Sequence, residues 1–270
     1  VMISSFFMPE GAARSGWTSY PPLSVFESGQ TIWLIGMIFL ITSSLLGSIN
    51  IIVTIIQLRA PGLSWFKLPF FVWAQFVTSF LLVLAFPPLE AAAILQLMDR
   101  VASTSFFLPS GLVYAGATVE VYGSGSPLLW QHLFWFLAHP EVYVLILPAM
   151  GIISEILPTF SKKPLFGYPV VVLSGIIIGF MGWMVWSHHM FTVGLGPVAN
   201  SVFAITTMAI AIPTGVKIFN WLGTMWKGSI QMSTPMLYAL GLSLIHISEP
   251  TRPERRGGGG GGGGKKKWGG

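Results

Sequence analysis

Long uncharged hydrophobic runs alternate with short polar segments along most of this chain. Residues 31–58 contain no charged side chain, and about 20 apolar residues suffice for a helix to cross a lipid bilayer. Four more hydrophobic runs of similar length follow, each with at most two charged residues, so the predicted spans are residues 31–58, 69–98, 128–157, 167–187 and 200–222. The chain is therefore predicted to be all-α, a polytopic membrane helix bundle.

The pattern also divides the chain into three regions. Residues 1–29 are polar and are predicted to form an external loop, and residues 30–242 form the bundle. Residues 243–270 include eight consecutive glycines followed by three lysines. Such a composition has no means of forming a packed core. This last region is predicted to be a disordered tail of non-native origin.

Composition supports a membrane protein and argues against nucleic acid as a partner. The chain is 53% hydrophobic and only 9% charged, with a mean hydropathy of +0.73, whereas soluble domains carry about 25% charged residues. The net charge of +5 arises in the tail, because residues 1–244 hold eight Lys and Arg against seven acids. Cysteine is absent, which excludes disulfides and thiolate metal sites.

Charged residues in the connecting loops predict an orientation. Positively charged loops mark the cytoplasm or matrix side. On one side, the loops carry Arg59 and Lys67, then Lys162 and Lys163, then Lys227. On the other side, one loop carries Asp99, Arg100 and Glu120, and the next carries no charge. The amino-terminal end of the chain is thereby predicted to lie outside. At about 1.5 Å of rise per residue, His139 and the pair His188 and His189 fall in the outer half of the membrane.

Polar residues inside the apolar spans are the candidate functional groups, because buried polarity is costly in a bilayer. Three imidazoles without thiols or carboxylates suit copper, zinc or iron. His139 and Tyr143 are four residues apart, so they share one helix face. A phenol beside a redox metal is a source of an electron and a proton. Glu141 follows Pro140, whose missing donor leaves room for water, so Glu141 is a candidate proton carrier.

Each of these residues also has a structural interpretation. A buried histidine commonly packs between helices, adjacent histidines at a helix end are often interfacial, and Lys217 could snorkel to the membrane surface. Glu90 could simply bond to a neighbouring helix. The depth predicted for Lys217, about 25 Å into its span, leads us to expect a hydrated path or a partner acid. The combination of all these groups favours a functional site.

Three longer motifs carry a family resemblance. Residues 139–143 (HPEVY), 185–194 (VWSHHMFTVG) and 212–217 (IPTGVK) resemble, in order and spacing, subunit I of the haem-copper terminal oxidases. The resemblance extends to residues 16–18, 20–22, 43–47 and 130–135 and covers about residues 16–241. It implies a twelve-helix fold in which these five spans match the fourth to eighth, with a ninth beginning near residue 234.

The resemblance also implies a role for individual residues. Copper would be held by His139, His188 and His189, and Tyr143 would be covalently joined to His139. Oxygen would be reduced to water between this copper and a high-spin haem, and the haem contacts would include Trp17 and Trp135. Two proton paths would pump protons, one ending at Glu141 and one running through Lys217. Their remaining members would be Ser43, Ser44 and Asn50 for the first path and Ser154 and Thr214 for the second.

Partners and location follow from the same resemblance. It implies oxygen as substrate, cytochrome c or quinol as electron donor, contact with subunits II and III and with lipid, and no nucleic acid. It places the protein as a multi-pass component of a bacterial plasma membrane or a mitochondrial inner membrane. The axial ligands of the high-spin and low-spin haems would lie on helices outside this chain. We therefore expect the chain by itself, an internal fragment, to bind haem poorly and not to reduce oxygen.

Alternatives and departures remain at this stage. A proton-coupled transporter with a regulatory metal site is the alternative from another class, and a nitric oxide reductase is opposed by Tyr143 and Lys217. Glu90 stands where a small apolar residue is expected, and Ala138 where glycine is usual. The sequence determines neither the haem type nor the electron donor.

Overall fold

The computed structural model describes residues 1–8 and 11–248. Within this part of the chain, five helical segments are long and apolar enough to cross a membrane, and they are Gln30–Gln57, Phe70–Val101, Pro127–Ser161, Tyr168–Met190 and Pro197–Met225. This confirms the predicted all-α, multi-pass class.

The helices are numbered in chain order. They are α1 (Leu23–Phe26), α2 (Gln30–Gln57), α3 (Phe70–Val101), α4 (Pro127–Ser161), α5 (Tyr168–Gly182), α6 (Pro197–Ala209), α7 (Ala211–Met225) and α8 (Thr234–Ser248). Between α3 and α4, the antiparallel strands β1 (Val113–Tyr114) and β2 (Ala117–Thr118) form a small hairpin.

Helix α4 is the longest of the described helices and carries more of the predicted site residues than any other of them. It begins with Pro127, and the Ser126 side chain caps it by accepting a hydrogen bond from the Leu128 N–H at 3.2 Å, as expected of a serine N-cap followed by proline. It continues through Pro140, Pro148 and Pro158. Prolines are tolerated inside membrane helices because neighbouring groups satisfy the freed carbonyls.

Two predicted spans are interrupted in the structure. The fifth span divides at Ile210 into α6 and α7, and Pro213 provides the reason, because it has no N–H to bond the carbonyl of Ala209. The fourth span leaves α-helical geometry after Gly182, and residues Trp186–Met190 form a separate 3-10 turn. His188 and His189 therefore lie on a short turn and not at the end of a continuous helix.

Helix α3 packs against both α2 and α4, and their shared apolar core includes Leu34, Ile41, Ala85, Leu89, Trp130 and Phe134.

A buried cluster of polar side chains joins the amino-terminal segment to these helices. Gln96 Nε2 donates to Ser24 Oγ at 2.7 Å, and Gln30 Nε2 donates to Ser19 Oγ at 3.0 Å. These bonds satisfy amides that would otherwise be buried without partners.

The carboxyl-terminal boundary differs from the predicted one. The helix expected near residue 234 begins at Thr234 and continues to Ser248, beyond residue 243 where the tail was predicted to start. The predicted tail residues 249–270 lie outside the described residues.

Candidate metal centre

The three predicted histidines converge, although His139 is about 50 residues from the adjacent pair His188 and His189 in sequence. His139 lies on α4, and His188 and His189 lie on the 3-10 turn that packs against α4. Their candidate ligand atoms all lie within 4.8 Å of one another. His139 Nδ1 is 3.1 Å from His189 Nε2, and His188 Nε2 is 3.0 Å from the same atom. One nitrogen of each ring therefore faces a common point.

The distances and the donor set fit a single copper or zinc ion. Two imidazole nitrogens, each about 2.0 Å from one tetrahedral ion, lie about 3.3 Å apart, close to the separations measured here. Within the described residues, the group of metal-ligating side chains contains three histidines and neither an acid nor a thiol. Such a set suits copper or zinc and leaves a coordination position free for a substrate.

A neighbouring threonine selects the tautomer of His188. Thr207 Oγ1 lies 2.6 Å from the Phe203 carbonyl oxygen and 2.9 Å from His188 Nδ1. A hydroxyl has one hydrogen, and the Phe203 carbonyl can only accept it. This geometry favours the tautomer in which His188 Nδ1 carries the hydrogen and donates to Thr207, which leaves the lone pair on Nε2. That is the atom facing the other histidines, so the hydrogen bond prepares His188 as a ligand.

In His139, unlike His188, the second ring nitrogen has no hydrogen-bond partner among the described residues. The His139 side chain is buried, and the unpartnered nitrogen is Nε2. The ring of Tyr143 lies beside it, with 4.9 Å between ring centroids and 61° between ring planes. This arrangement agrees with the shared helix face predicted from their spacing.

Gly182 determines how closely Tyr143 approaches the end of α5. A Cβ added at Gly182 would lie 2.8 Å from Tyr143 Cδ2 and 3.2 Å from Cε2. A methyl group there would collide with the phenol ring, so glycine is needed for the observed position of Tyr143. Sequence reasoning missed Gly182 and Thr207, because nothing local distinguishes them from other small residues of apolar helices.

Trp135 forms one wall of the cluster. Its indole stacks on the His189 ring, with 3.9 Å between centroids and 8° between planes. Its Nε1 donates to the Tyr20 hydroxyl at 2.5 Å. Tyr20 lies outside the spanning helices, where burial raises the pKa of its phenol and the bond from Trp135 opposes that rise. Trp17 contacts Trp135 edge to face and is 66% exposed.

The residues predicted for the Glu141 path are not joined in the structure. Glu141 is exposed on α4, and Ser43, Ser44 and Asn50 are exposed on α2. Helix α3 packs against both helices, and the described residues contain no hydrogen bond that links Glu141 to the α2 side chains. The predicted membership of this path is left as a proposal.

The residues predicted for the Lys217 path are partly brought together. Lys217 is fully buried, with Nζ 3.6 Å from Met150 Sδ and 5.1 Å from the centre of the Phe70 ring. Ser154 lies one turn from Met150 and accepts a hydrogen bond from Trp221 Nε1 at 2.9 Å.

Two details differ from what the Lys217 path predicted. Neither described contact of the Lys217 ammonium is a carboxylate, so a partner acid, one of the two alternatives expected, is not found among the described residues. A sulfur atom and an aromatic face substitute for it, and both attract cations. Thr214 bonds the Ile210 carbonyl of its own helix at 3.0 Å, so the structure gives it no described bond to Lys217 or Ser154.

Comparison with known proteins agrees with this architecture. The sequence model of the family described as "Cytochrome C and Quinol oxidase polypeptide I" matches residues 1–248. The chain is 50% identical over 233 residues to "Cytochrome c oxidase subunit 1" of Bacillus sp. (strain PS3), which covers 85% of this chain and 36% of that protein. It is 47% identical over 247 residues to the protein of the same name from Cereibacter sphaeroides, and this match covers 88% of this chain and 41% of that protein.

A third relative is more distant. "Alternative cytochrome c oxidase subunit 1" of Bradyrhizobium diazoefficiens is 41% identical over 254 residues, covering 92% of this chain and 43% of that protein. The chain thus spans between about a third and somewhat over two fifths of the length of these relatives. The bacterial relatives and the five apolar helices place it as a multi-pass protein of the bacterial plasma membrane. The match over residues 1–248 shows that the chain belongs to the cytochrome c and quinol oxidase polypeptide I family.

Proposed function

We propose that this chain provides the copper-binding part of the catalytic subunit of a respiratory terminal oxidase, which reduces oxygen to water and pumps protons. The family implies haem and copper as cofactors. The observation that carries the proposal is the convergence of one nitrogen each from His139, His188 and His189. Family membership favours this function over a proton-coupled transporter or a nitric oxide reductase.

In this proposal the chain's own residues hold and shape the site. The three histidines bind copper, and Thr207 keeps His188 in the tautomer that leaves Nε2 free. Trp135 packs against the His189 ring and restricts its rotation. Copper beside a haem supplies the chemistry of oxygen binding and electron transfer, and the resemblance assigns the haem axial ligands to helices outside this chain.

Tyr143 is proposed as a donor of a proton and an electron to the site. Its ring lies beside His139 and is wedged against Gly182, so its position is restricted before any substrate arrives. Groups held in place in advance reduce the entropic part of a reaction barrier. The contact with His139 and the close fit at Gly182 support this role.

Proton delivery to this site is proposed to use two routes. Lys217, Ser154 and Thr214 form the first, and the juxtaposition of Lys217 and Ser154 around Met150 supports it. Glu141 ends the second route, with Ser43, Ser44 and Asn50 along the exposed face of α2. Both routes require water between side chains that do not touch in this structure.

Further partners belong to the same proposal. Oxygen is the substrate, cytochrome c or quinol supplies electrons, and subunits II and III and membrane lipid surround the chain. Trp17 and Trp135 are proposed to contact haem; the contact between the two rings and the exposure of Trp17 support a shared surface for it.

Copper quantification tests the central proposal. His188→Ala in the full-length, assembled protein is expected to remove the bound copper, whereas wild type retains one copper per centre. Thr159→Ala is the control, because Thr159 is also on α4 and exposed, and its hydroxyl bonds only the Glu155 carbonyl of its own helix. Unchanged copper in His188→Ala would contradict the assignment and favour a protein without this centre.

A further inference from the structure

A carboxyl group that the oxidase proposal does not use lies between α2 and α3. Glu90 is half-buried in the interior of α3, and its Oε1 atom is 2.7 Å from Thr42 Oγ1 on α2. The remaining charged residues of α3, Asp99 and Arg100, lie at its carboxyl-terminal end. Glu90 is thus a single ionisable group inside a membrane-spanning helix, where such groups are costly and usually functional.

The hydrogen-bond inventory around Thr42 restricts the state of Glu90. Thr42 Oγ1 is also 2.8 Å from the carbonyl oxygen of Ile38. A carbonyl oxygen and an ionised carboxylate both act only as acceptors, and a hydroxyl supplies one hydrogen. With an ionised Glu90, the single Thr42 hydrogen would have to be shared between the two acceptors as a three-centre bond. Two full hydrogen bonds form when Glu90 carries a hydrogen and donates it to Thr42. Thr42 then donates its own hydrogen to Ile38.

We propose that Glu90 and Thr42 form a proton-binding site between α2 and α3, in which Glu90 holds the proton and donates a hydrogen bond to Thr42 Oγ1. The ligand of this site is a proton. Loss of that proton to water would leave a carboxylate, and the Thr42 hydroxyl would have to turn from Ile38 to Glu90. Proton binding is therefore coupled to the direction of one hydroxyl group.

The described elements that pack against α3 supply no opposite charge that would favour a carboxylate at Glu90. Helices α1 and α5, which both contact α3, carry no charged residue. Helix α2 has no charged residue between Gln30 and Gln57. At the end of α3, Asp99 accepts hydrogen bonds from the Phe106 and Phe107 N–H groups, and Arg100 donates to the Val25 carbonyl. Helix α4 also packs against α3. None of its ionisable groups makes a described hydrogen bond to Glu90; these groups are His132, His139, Glu141, Tyr143 and Glu155.

Glu90 is also separate from the residues of the proposed oxidase chemistry. It is neither one of the three candidate metal ligands nor hydrogen-bonded to them. The inference about its proton therefore stands or fails independently of copper binding and of oxygen reduction.

Infrared difference spectroscopy of the full-length, assembled protein in membranes at neutral pH tests the site. Subtraction of the Glu90→Gln spectrum from wild type is expected to reveal one carboxylic-acid C=O stretch that shifts in D₂O. Loss of a pair of carboxylate bands in place of that stretch would show an ionised Glu90 and overturn the proposal. Glu90→Ala must lose the same band, and it provides the measurement if Glu90→Gln does not assemble.

Substitutions at Thr42 test the partner. Thr42→Ser retains a hydroxyl and is expected to leave the Glu90 C=O stretch at the wild-type frequency. Thr42→Val removes the acceptor of the Glu90 hydrogen and is expected to shift the stretch to higher frequency. An unshifted band in Thr42→Val would show that Glu90 does not bond Thr42 in the membrane.

Discussion

The histidine cluster and the surroundings of Lys217 are two polar sites in the same apolar bundle, and they are built in different ways. In the cluster, three imidazoles direct nitrogens at one another across 3.0 and 3.1 Å, and Thr207 orients one of them. Lys217 is instead fully buried, and its ammonium contacts a sulfur atom and an aromatic face.

This difference distinguishes the histidine cluster, which is arranged to bind a ligand, from Lys217, which is not. Imidazoles can be buried in the neutral form at moderate cost, and several lone pairs aimed at one point are completed by a cation. The Lys217 ammonium already has weakly attractive partners on two sides, so it needs no bound ion. Buried polarity marks both sites, but only the direction of the nitrogens supports the proposed metal centre.

The largest effect on the cluster is expected from His139→Ala in the full-length assembled protein. Removal of a ligand should lower copper affinity by more than the roughly 10–100-fold that outer-shell changes cause, so copper content and oxygen consumption should both be lost. Metal analysis and oxygen uptake measure this change. Copper retained at the wild-type level would place the ion elsewhere and remove the contrast with Lys217.

A smaller effect is expected from Thr207→Val. Without the hydroxyl, His188 loses the bond that selects its tautomer, and copper affinity should fall about 10–100-fold. Competition with a copper chelator measures the affinity, and Thr207→Ser serves as the control because it keeps the hydroxyl. Equal affinities for Thr207→Val and wild type would show that packing alone orients His188.

Gly182→Ala should affect turnover and leave copper in place. The added methyl group would lie 2.8 Å from Tyr143 Cδ2 and must displace the phenol by a fraction of an ångström. A displacement of that size should lower oxygen consumption about tenfold. Gly47→Ala on α2 is the control, since a Cβ there meets no atom within 4 Å. Equal turnover in Gly182→Ala and Gly47→Ala would contradict a positioning role.

The smallest effect on the metal centre is expected from Lys217→Met. Methionine approximates the length of the lysine stem and removes an ammonium that has no described acid partner, so copper content and thermal stability should stay at wild-type values. The change should appear in the rate of proton uptake during reduction of the site. A loss of copper in Lys217→Met would show that the histidine cluster and the surroundings of Lys217 are structurally coupled and not independent.

Much of the site could be predicted from local patterns. His139 and Tyr143 share a helix face because they are four residues apart, and the structure places their rings side by side. The pair His188 and His189 could be predicted as candidate ligands, but not the 3-10 turn that carries them. The division of the fifth span at Ile210 was missed, although Pro213 was its visible cause.

Contacts between helices could not be predicted in the same way. The described contacts of Lys217 come from Met150 on α4 and Phe70 on α3, which carry no charge, and neither could be anticipated when a hydrated path or a partner acid was expected. Glu90 bonds Thr42, 48 residues away in sequence, as one structural interpretation of Glu90 had anticipated without naming the partner.

The sequence by itself determined the number of spans, the residue types of the proposed metal site and the face shared by His139 and Tyr143. These properties depend on hydrophobic length and helical period, which act over neighbouring residues. Only the tertiary structure decided the tautomer of His188, the stacking of Trp135 on His189 and the partners of Lys217 and Glu90. Those contacts join residues distant in the chain, and the packing of whole helices determines which side chains meet.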